Sequence, residues 1–263
     1  MIRLIASDMD GTILKNGAQS LSPRMHALLA ELIERGIIFV AASGRQYANL
    51  KRLLGPLADR ADYICENGAF AVHEGRIIYK AVLDRALGQE LMRDIRAREG
   101  CEIQLSGIDT AYIQAKDPSY THHLRYVLKN DITEVDDIFS TTEDYIKISA
   151  FVHGDKTQER FREFQERWGS QFTLACTCDH WIDFIPPGIN KGHAMHALLD
   201  ILKIPREEIM AFGDNYNDLE LLQCAAESYA VSDGKPEVIA ACRHTCGSVE
   251  DVLEEFLRSG QAL

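Results

Sequence analysis

No apolar run in this 263-residue chain approaches the roughly 20 residues that a membrane helix needs. The first ten residues already contain Asp8 and Asp10, where a secretory signal would be apolar. Neither a membrane protein nor an exported precursor is expected. Basic residues are also in short supply: 28 Lys and Arg stand against 40 Asp and Glu, a formal net charge of −12. Affinity for a nucleic-acid backbone comes from Lys and Arg displacing counterions, so DNA and RNA are set aside as partners. Seven cysteines, an odd number scattered from Cys65 to Cys246, make no disulfide framework. They suit a reducing compartment, and the expected location is the cytoplasm. There is no internal repeat and no low-complexity tract.

What is present is the composition of a packed globular protein, 46% hydrophobic and 26% charged. The length fits one large domain and one smaller one. Ile2 to Ser7 reads as a buried strand. Ser22-Pro23 supplies a helix cap with proline at the first helical position, and Met25, Leu28, Leu29, Leu32 and Ile33 recur at helical spacing up to Gly36. Ile37 to Ala42 is a second apolar strand, followed by a helix from Gln46 to Leu54 and a third strand at Tyr63 to Cys65. This alternation predicts a parallel sheet wrapped by helices. Between Leu83 and Phe184 the pattern changes to strands such as Cys101 to Leu105, Ala111 to Ala115, Ile146 to Val152 and Trp181 to Ile185. Helices separate them, one with a core stripe of Phe161, Phe164 and Trp168. After Pro186-Pro187 the first pattern resumes, with a helix from Lys191 and a strand from Ile209 to Phe212. The expected fold is therefore α/β: a Rossmann-like, doubly wound parallel-sheet core at 1–83 and 185–263, with an inserted α+β cap at 84–184.

In an open α/β sheet, ligands bind beyond the carboxyl ends of the strands. Four polar clusters fall at such places: Asp8-Met9-Asp10-Gly11-Thr12, Ser43-Gly44-Arg45, Lys191, and Gly213-Asp214-Asn215-Tyr216-Asn217-Asp218. Asp8 and Asp10, two apart in a tight turn that Gly11 permits, can approach one centre. Ser43 and Gly44 can offer a hydroxyl and backbone N–H groups to phosphoryl oxygens at a helix start. Two carboxylates 4 Å apart repel by ~4 kcal/mol at an effective dielectric near 20, and a phosphate dianion would add to that. A hard cation held by Asp8, the Asp10 backbone carbonyl and Asp214 would remove the repulsion, and oxygen-only ligands favour Mg²⁺. Lys191 adds positive charge. Asp8 could then act as a nucleophile and Asp10 as acid and base.

The same residues resemble a known family. Asp8-x-Asp10-Gly11-Thr12, Ser43-Gly44-Arg45, Lys191-Gly192 and Gly213-Asp214-x-x-Asn217-Asp218 look like the four motifs of the haloacid dehalogenase superfamily. Glu66-Asn67-Gly68-Ala69 resembles its Cof-type, type IIB branch, as does the large insertion before Lys191. The resemblance implies a Mg²⁺-dependent phosphatase of a small phosphorylated metabolite, working through an aspartyl phosphate. By it Asp8 is the nucleophile, Asp10 the acid and base, and Thr12, Ser43, Gly44, Lys191 and Asn217 the phosphate or substrate contacts. Asp214 is a metal ligand, and Asp218 a ligand or the support of one. Gln46 departs from the proline that many relatives carry after the arginine.

Taken alone, Asp8-x-Asp10-Gly11-Thr12 reads equally well as a solvated turn, and the other three read more readily as a helix cap, surface charge and a strand-ending turn; their conjunction and order point to catalysis. A phosphomutase would use the same core residues, and an aspartate-phosphorylated signalling domain would also gather acids, a hydroxyl and a lysine. An insertion of about 100 residues exceeds what the latter needs and suits closure over a small molecule. Cys176, Cys178 and His180, and Cys242, His244 and Cys246, alternate as strands do and are not expected to bind zinc. His122-His123 is expected on a polar helix surface, and His193 has no evident duty.

Overall fold

The computed structural model of the protein describes residues 1–178 and 180–259. Its elements in chain order begin with β1 (Leu4–Asp8), α1 (Pro23–Glu34), β2 (Ile38–Ala42), α2 (Tyr47–Leu54), β3 (Asp62–Cys65), β4 (Phe70–His73) and β5 (Arg76–Lys80). There follow α3 (Arg85–Ala97), β6 (Cys101–Ser106), β7 (Ala111–Ile113), α4 (Pro118–His122), β8 (Ile132–Glu134), β9 (Lys147–Val152), α5 (Thr157–Trp168), β10 (Thr173–Cys178) and β11 (Trp181–Ile185). The chain ends with α6 (Lys191–Leu202), β12 (Ile209–Gly213), α7 (Leu219–Gln223), β13 (Glu227–Val231), α8 (Pro236–Ala241), β14 (His244–Cys246) and α9 (Val249–Arg258).

Residues 1–45, 50–79 and 190–263 form one compact unit, and 46–49 and 80–189 a second. The first unit is built on a sheet of order β14-β13-β12-β1-β2-β3-β4-β5. Every pair from β14 to β3 is parallel, with Leu4 opposite Ile209 on one side and Ile38 on the other. Parallel strands need crossovers, and helices on both faces bury them completely. That is why Leu4, Ile5 and Ala6 are consecutive apolar residues with no exposure at all. Each large side chain so buried contributes about 1.5–3 kcal/mol. Ala194, Met195 and Leu198 of α6 pack on this sheet with Val40, Ile64 and Ala211. Helix α1 starts where the sequence indicates: Ser22 accepts from the Met25 amide at 2.9 Å, and Pro23 occupies the first turn.

One departure from the alternating pattern is the hairpin β4–β5, with β4 antiparallel to β3. Its turn is Glu74-Gly75, both at positive φ (49° and 73°). Two such residues make the tight turn that matches strand twist, but Glu is a rare occupant and gives a weak signal.

The second unit is a six-stranded sheet of order β10-β11-β9-β6-β7-β8, antiparallel except for β7 with β8. One face buries Ile103, Leu105, Ile148, Ala150, Ile182 and Phe184 under α3 and α5. Phe164 and Trp168 lie in that core with Phe161 at its edge, so the expected aromatic stripe is a packing feature. The opposite face is mixed: Asp183 accepts from Ser149 Oγ at 2.6 Å and pairs with Lys147 at 3.3 Å, all three buried, while Phe151 and Trp181 farther along pack with Tyr120 and Leu124. His122 is exposed, but His123 is half-buried with its ring 5.5 Å from that of Phe151, so the pair is not uniformly a polar surface. The helix turns towards a π geometry at His123 and rotates that ring inward. No described helix is long and apolar enough to cross a membrane.

Candidate active site

Strands β1 and β2 run parallel to β12 at the centre of the first sheet, and the chain leaves β1 towards β2 on one side and returns to β12 on the other. This is the switch point at which the carboxyl ends of an open sheet splay apart. Asp8 ends β1, Ser43 follows β2, and Asp214 follows β12.

The turn after β1 is closed by two backbone bonds, Leu14 N to Met9 O (2.7 Å) and Gly11 N to Leu14 O (2.9 Å). Gly11 sits at φ +88°, and a Cβ there would lie 2.5 Å from Asp214 Oδ2. Glycine is thus required twice, by conformation and by contact. Thr12 Oγ1 donates to Asp214 Oδ1 at 2.6 Å. That bond orients the carboxylate.

Lys191 lies in the first turn of α6, whose cap Asn190 accepts from the His193 amide at 2.8 Å. The Lys191 ammonium is fully buried and bridges Asp8 Oδ1 and Asp218 Oδ1, both at 2.5 Å. Asp218 uses its other oxygen to accept the Asp214 and Asn215 amides at 3.0 Å, which folds the loop after β12. Gly192 lets α6 approach α7, since a Cβ there would fall 2.5 Å from Glu220 Cβ.

Asp8, Asp214 and Asp218 offer carboxylate oxygens all within 4.8 Å of one another. Burial, then repulsion by Asp218 and the other acids, pushes the Asp8 carboxyl well above its ordinary range despite Lys191. Burial alone would lower Lys191, but Asp218 and Asp8 outweigh it and hold the ammonium protonated. Asp214 is also raised, chiefly by burial. Asp8 Oδ2 is buried without a hydrogen-bond partner. Such an atom beside two further carboxylates fits a divalent cation and an incoming electrophile, because either satisfies it.

The structure does not bring every expected residue to this centre. The Asp10 carboxylate is exposed and held by Arg45, which donates Nε to Oδ2 at 2.7 Å and Nη2 to Oδ1 at 2.6 Å, with Ser43 Oγ 3.5 Å away. Asn217 donates Nδ2 to Asn67 Oδ1 at 3.1 Å, and a Cβ on Gly44 would lie 2.9 Å from that oxygen. Asn67 therefore joins the Ser43-Gly44 and Asn217 loops, a role that sequence reasoning did not assign it. The available signal was the pair Asn67-Gly68, residues that tolerate the left-handed conformation seen here at φ 59° and 97°. Gly68 also abuts the backbone before Lys191, where a Cβ would collide with Asn190 O at 2.1 Å. His193 stacks obliquely on Tyr79 at 5.4 Å, and Tyr216 points its hydroxyl to Glu237 at 2.8 Å.

The cysteine–histidine sets gather no metal site among the described residues, where the three aspartates are the one group of this kind. His244 Nε2 is bound to Glu227 at 2.7 Å and Cys246 is buried, while the Cys178 side chain lies outside what the structure describes.

Comparison with known proteins gives concordant findings. A family model described as haloacid dehalogenase-like hydrolase matches residues 5–255. The 5-amino-6-(5-phospho-D-ribitylamino)uracil phosphatase YbjI of Escherichia coli K12 is 28% identical, over 98% of this chain and 97% of its own. The HMP-PP phosphatase of an Enterobacter species is 28% identical, over 93% and 89%. A solved structure from Eubacterium rectale shares 34% identity with a TM-score of 0.84, covering 97% of this chain and 99% of that one. The subclass IIB sugar phosphatase BT4131 has the same fold, with a TM-score of 0.81 at 21% identity over 97% and 98%.

Proposed function

Because the chain belongs to the haloacid dehalogenase-like hydrolase family, we propose that it is a Mg²⁺-dependent phosphatase of a small phosphorylated metabolite, working through an aspartyl phosphate on Asp8. The observation that carries this is the Asp8 carboxylate itself: buried, with Oδ1 on Lys191 and Oδ2 unpartnered, in a group with Asp214 and Asp218 whose oxygens lie within 4.8 Å of one another.

Asp8, Asp214 and the Asp10 backbone carbonyl would hold the cation, which would offset the mutual repulsion of carboxylates and phosphate. Asp218 serves chiefly as a tether, since both its oxygens are engaged by Lys191 and the loop amides. Ser43, the Gly44 amide and Asn217 bind phosphoryl oxygens, and Lys191 neutralises Asp8 as the phosphate approaches. Asp8 Oδ2 attacks phosphorus, and the bond to the alcohol oxygen breaks as Asp10 protonates it. Asp10 then takes a proton from water, which attacks phosphorus and frees Asp8 and inorganic phosphate. Arg45 holds Asp10 outside the carboxylate cluster, where a leaving group can reach it.

The names of the relatives, which act on a ribityl phosphate and on HMP-PP, support a small phosphorylated substrate. The described cysteines are all free, which supports a cytosolic location. The test is phosphate release across phosphorylated metabolites with and without Mg²⁺, using wild-type protein and Asp8→Asn, with mass spectrometry of the quenched enzyme. The expected adduct is on Asp8. Attachment to another residue, or wild-type turnover by Asp8→Asn, would refute the mechanism.

A further inference from the structure

Asp214 is gripped by two arms of chain. From the turn after β1, Thr12 Oγ1 donates to its Oδ1 at 2.6 Å, and Gly11 packs flat against its carboxylate. From the turn between β13 and α8, Lys235 N donates to the Asp214 carbonyl at 2.8 Å, and Gly234 packs so closely that a Cβ would fall 2.8 Å from that oxygen. These arms are joined by one side chain. Lys15 Nζ donates to Gly11 O at 2.5 Å and to Asp233 Oδ1 at 2.6 Å, across 218 residues of sequence.

We propose that Lys15 is a positioning residue for the cation site: by locking Gly11 to Asp233 it clamps the two arms around Asp214 and presents that carboxylate in its ligating orientation. The proposal rests on the reading of Asp214 as a metal ligand. A ligand whose orientation is already fixed need not be ordered when the cation arrives, so outer contacts of this kind tune metal affinity. The Lys15–Asp233 pair is open to solvent, with side-chain exposures of 34% and 69%. Such a pair contributes little to global stability. Its effect should therefore fall on the site and not on the fold.

The sign of that effect separates positioning from charge. Lys15 places a positive charge near Asp214, so on electrostatics alone its removal should tighten cation binding. Positioning demands the opposite. The experiment is calorimetric titration of Mg²⁺ into the chelator-stripped full-length protein, without substrate, for wild type, Lys15→Met, Lys15→Arg and Asp233→Asn. Lys15→Met should raise the Mg²⁺ Kd about tenfold. Asp233→Asn should weaken binding in the same direction with an unchanged thermal midpoint, and Lys15→Arg, which can keep both bonds, should stay near wild type. If Lys15→Met or a folded Asp233→Asn binds Mg²⁺ as tightly as wild type or more so, the clamp is refuted while the phosphatase reading stands. If the wild-type protein itself binds no Mg²⁺, the reading of Asp214 falls and the clamp with it.

Discussion

Asp8→Asn should abolish turnover yet make the metal-free protein more stable. Asp8 and its two acidic neighbours lie within 4.8 Å. At an effective dielectric of 20 each neighbour repels it by at least about 3.5 kcal/mol, and Lys191 at 2.5 Å attracts it by about 6.6 kcal/mol. The pairwise contributions nearly cancel. What remains is the cost of removing the carboxylate from water, several kcal/mol for a buried ion, which is why its pKa is raised. Asparagine keeps the shape and an acceptor for Lys191 while discarding the charge. We expect a gain of about 1–3 kcal/mol, seen as a thermal midpoint higher by about 2–10 °C in chelator at pH 7.5. The pH dependence has a definite sign. A carboxyl whose folded pKa lies above the unfolded value near 3.9 favours the fold only while protonated, and that contribution is lost as pH rises through the folded pKa. The advantage of Asp8→Asn should therefore vanish as pH is lowered towards 4 and grow as pH rises, levelling off only above the folded pKa. Added Mg²⁺ should stabilise wild type more than the variant. A variant less stable than wild type in chelator, or a difference that ignores pH, would refute this account of the site.

Three further outcomes follow from the same geometry. Lys191→Met, which strands Asp8 and Asp218 without their shared cation, should lose about 3–5 kcal/mol in denaturant titrations at neutral pH, and less in acid; a loss under about 1 kcal/mol would show that one carboxyl is already protonated. Gly11→Ala must hold φ +88° and push its Cβ against Asp214, so it should cost about 1–3 kcal/mol and weaken Mg²⁺ binding, with unchanged calorimetry as the contrary result. Asp10→Asn should slow alkyl phosphates by about 10²–10⁴ and p-nitrophenyl phosphate far less, because the latter leaves without a proton. Equal slowing of both would remove Asp10 from the acid role.

How much could be read in advance depended on range. The central strands were legible because helices cover both faces, so Leu4 to Ala6, Val40 to Ala42 and Ile209 to Phe212 are uninterrupted apolar runs. The helix start at Ser22-Pro23 was legible because capping acts over three residues. The hairpin at Glu74-Gly75 escaped because its turn lacks the usual Asn or Asp.

At the site, the order of the four polar clusters pointed to one centre beyond the strand ends, and the fold brings the Asp8, Lys191, Asp214 and Asp218 side chains together there. Which atom serves which partner was decided only by folding. That Thr12 donates its hydroxyl to Asp214, that Arg45 grips both oxygens of Asp10, that Asn67 links two loops and that Lys15 reaches Asp233 are all side-chain pairings across tens to hundreds of residues. No period or local pattern encodes such contacts, because they depend on the register of neighbouring strands and the last ångström of packing.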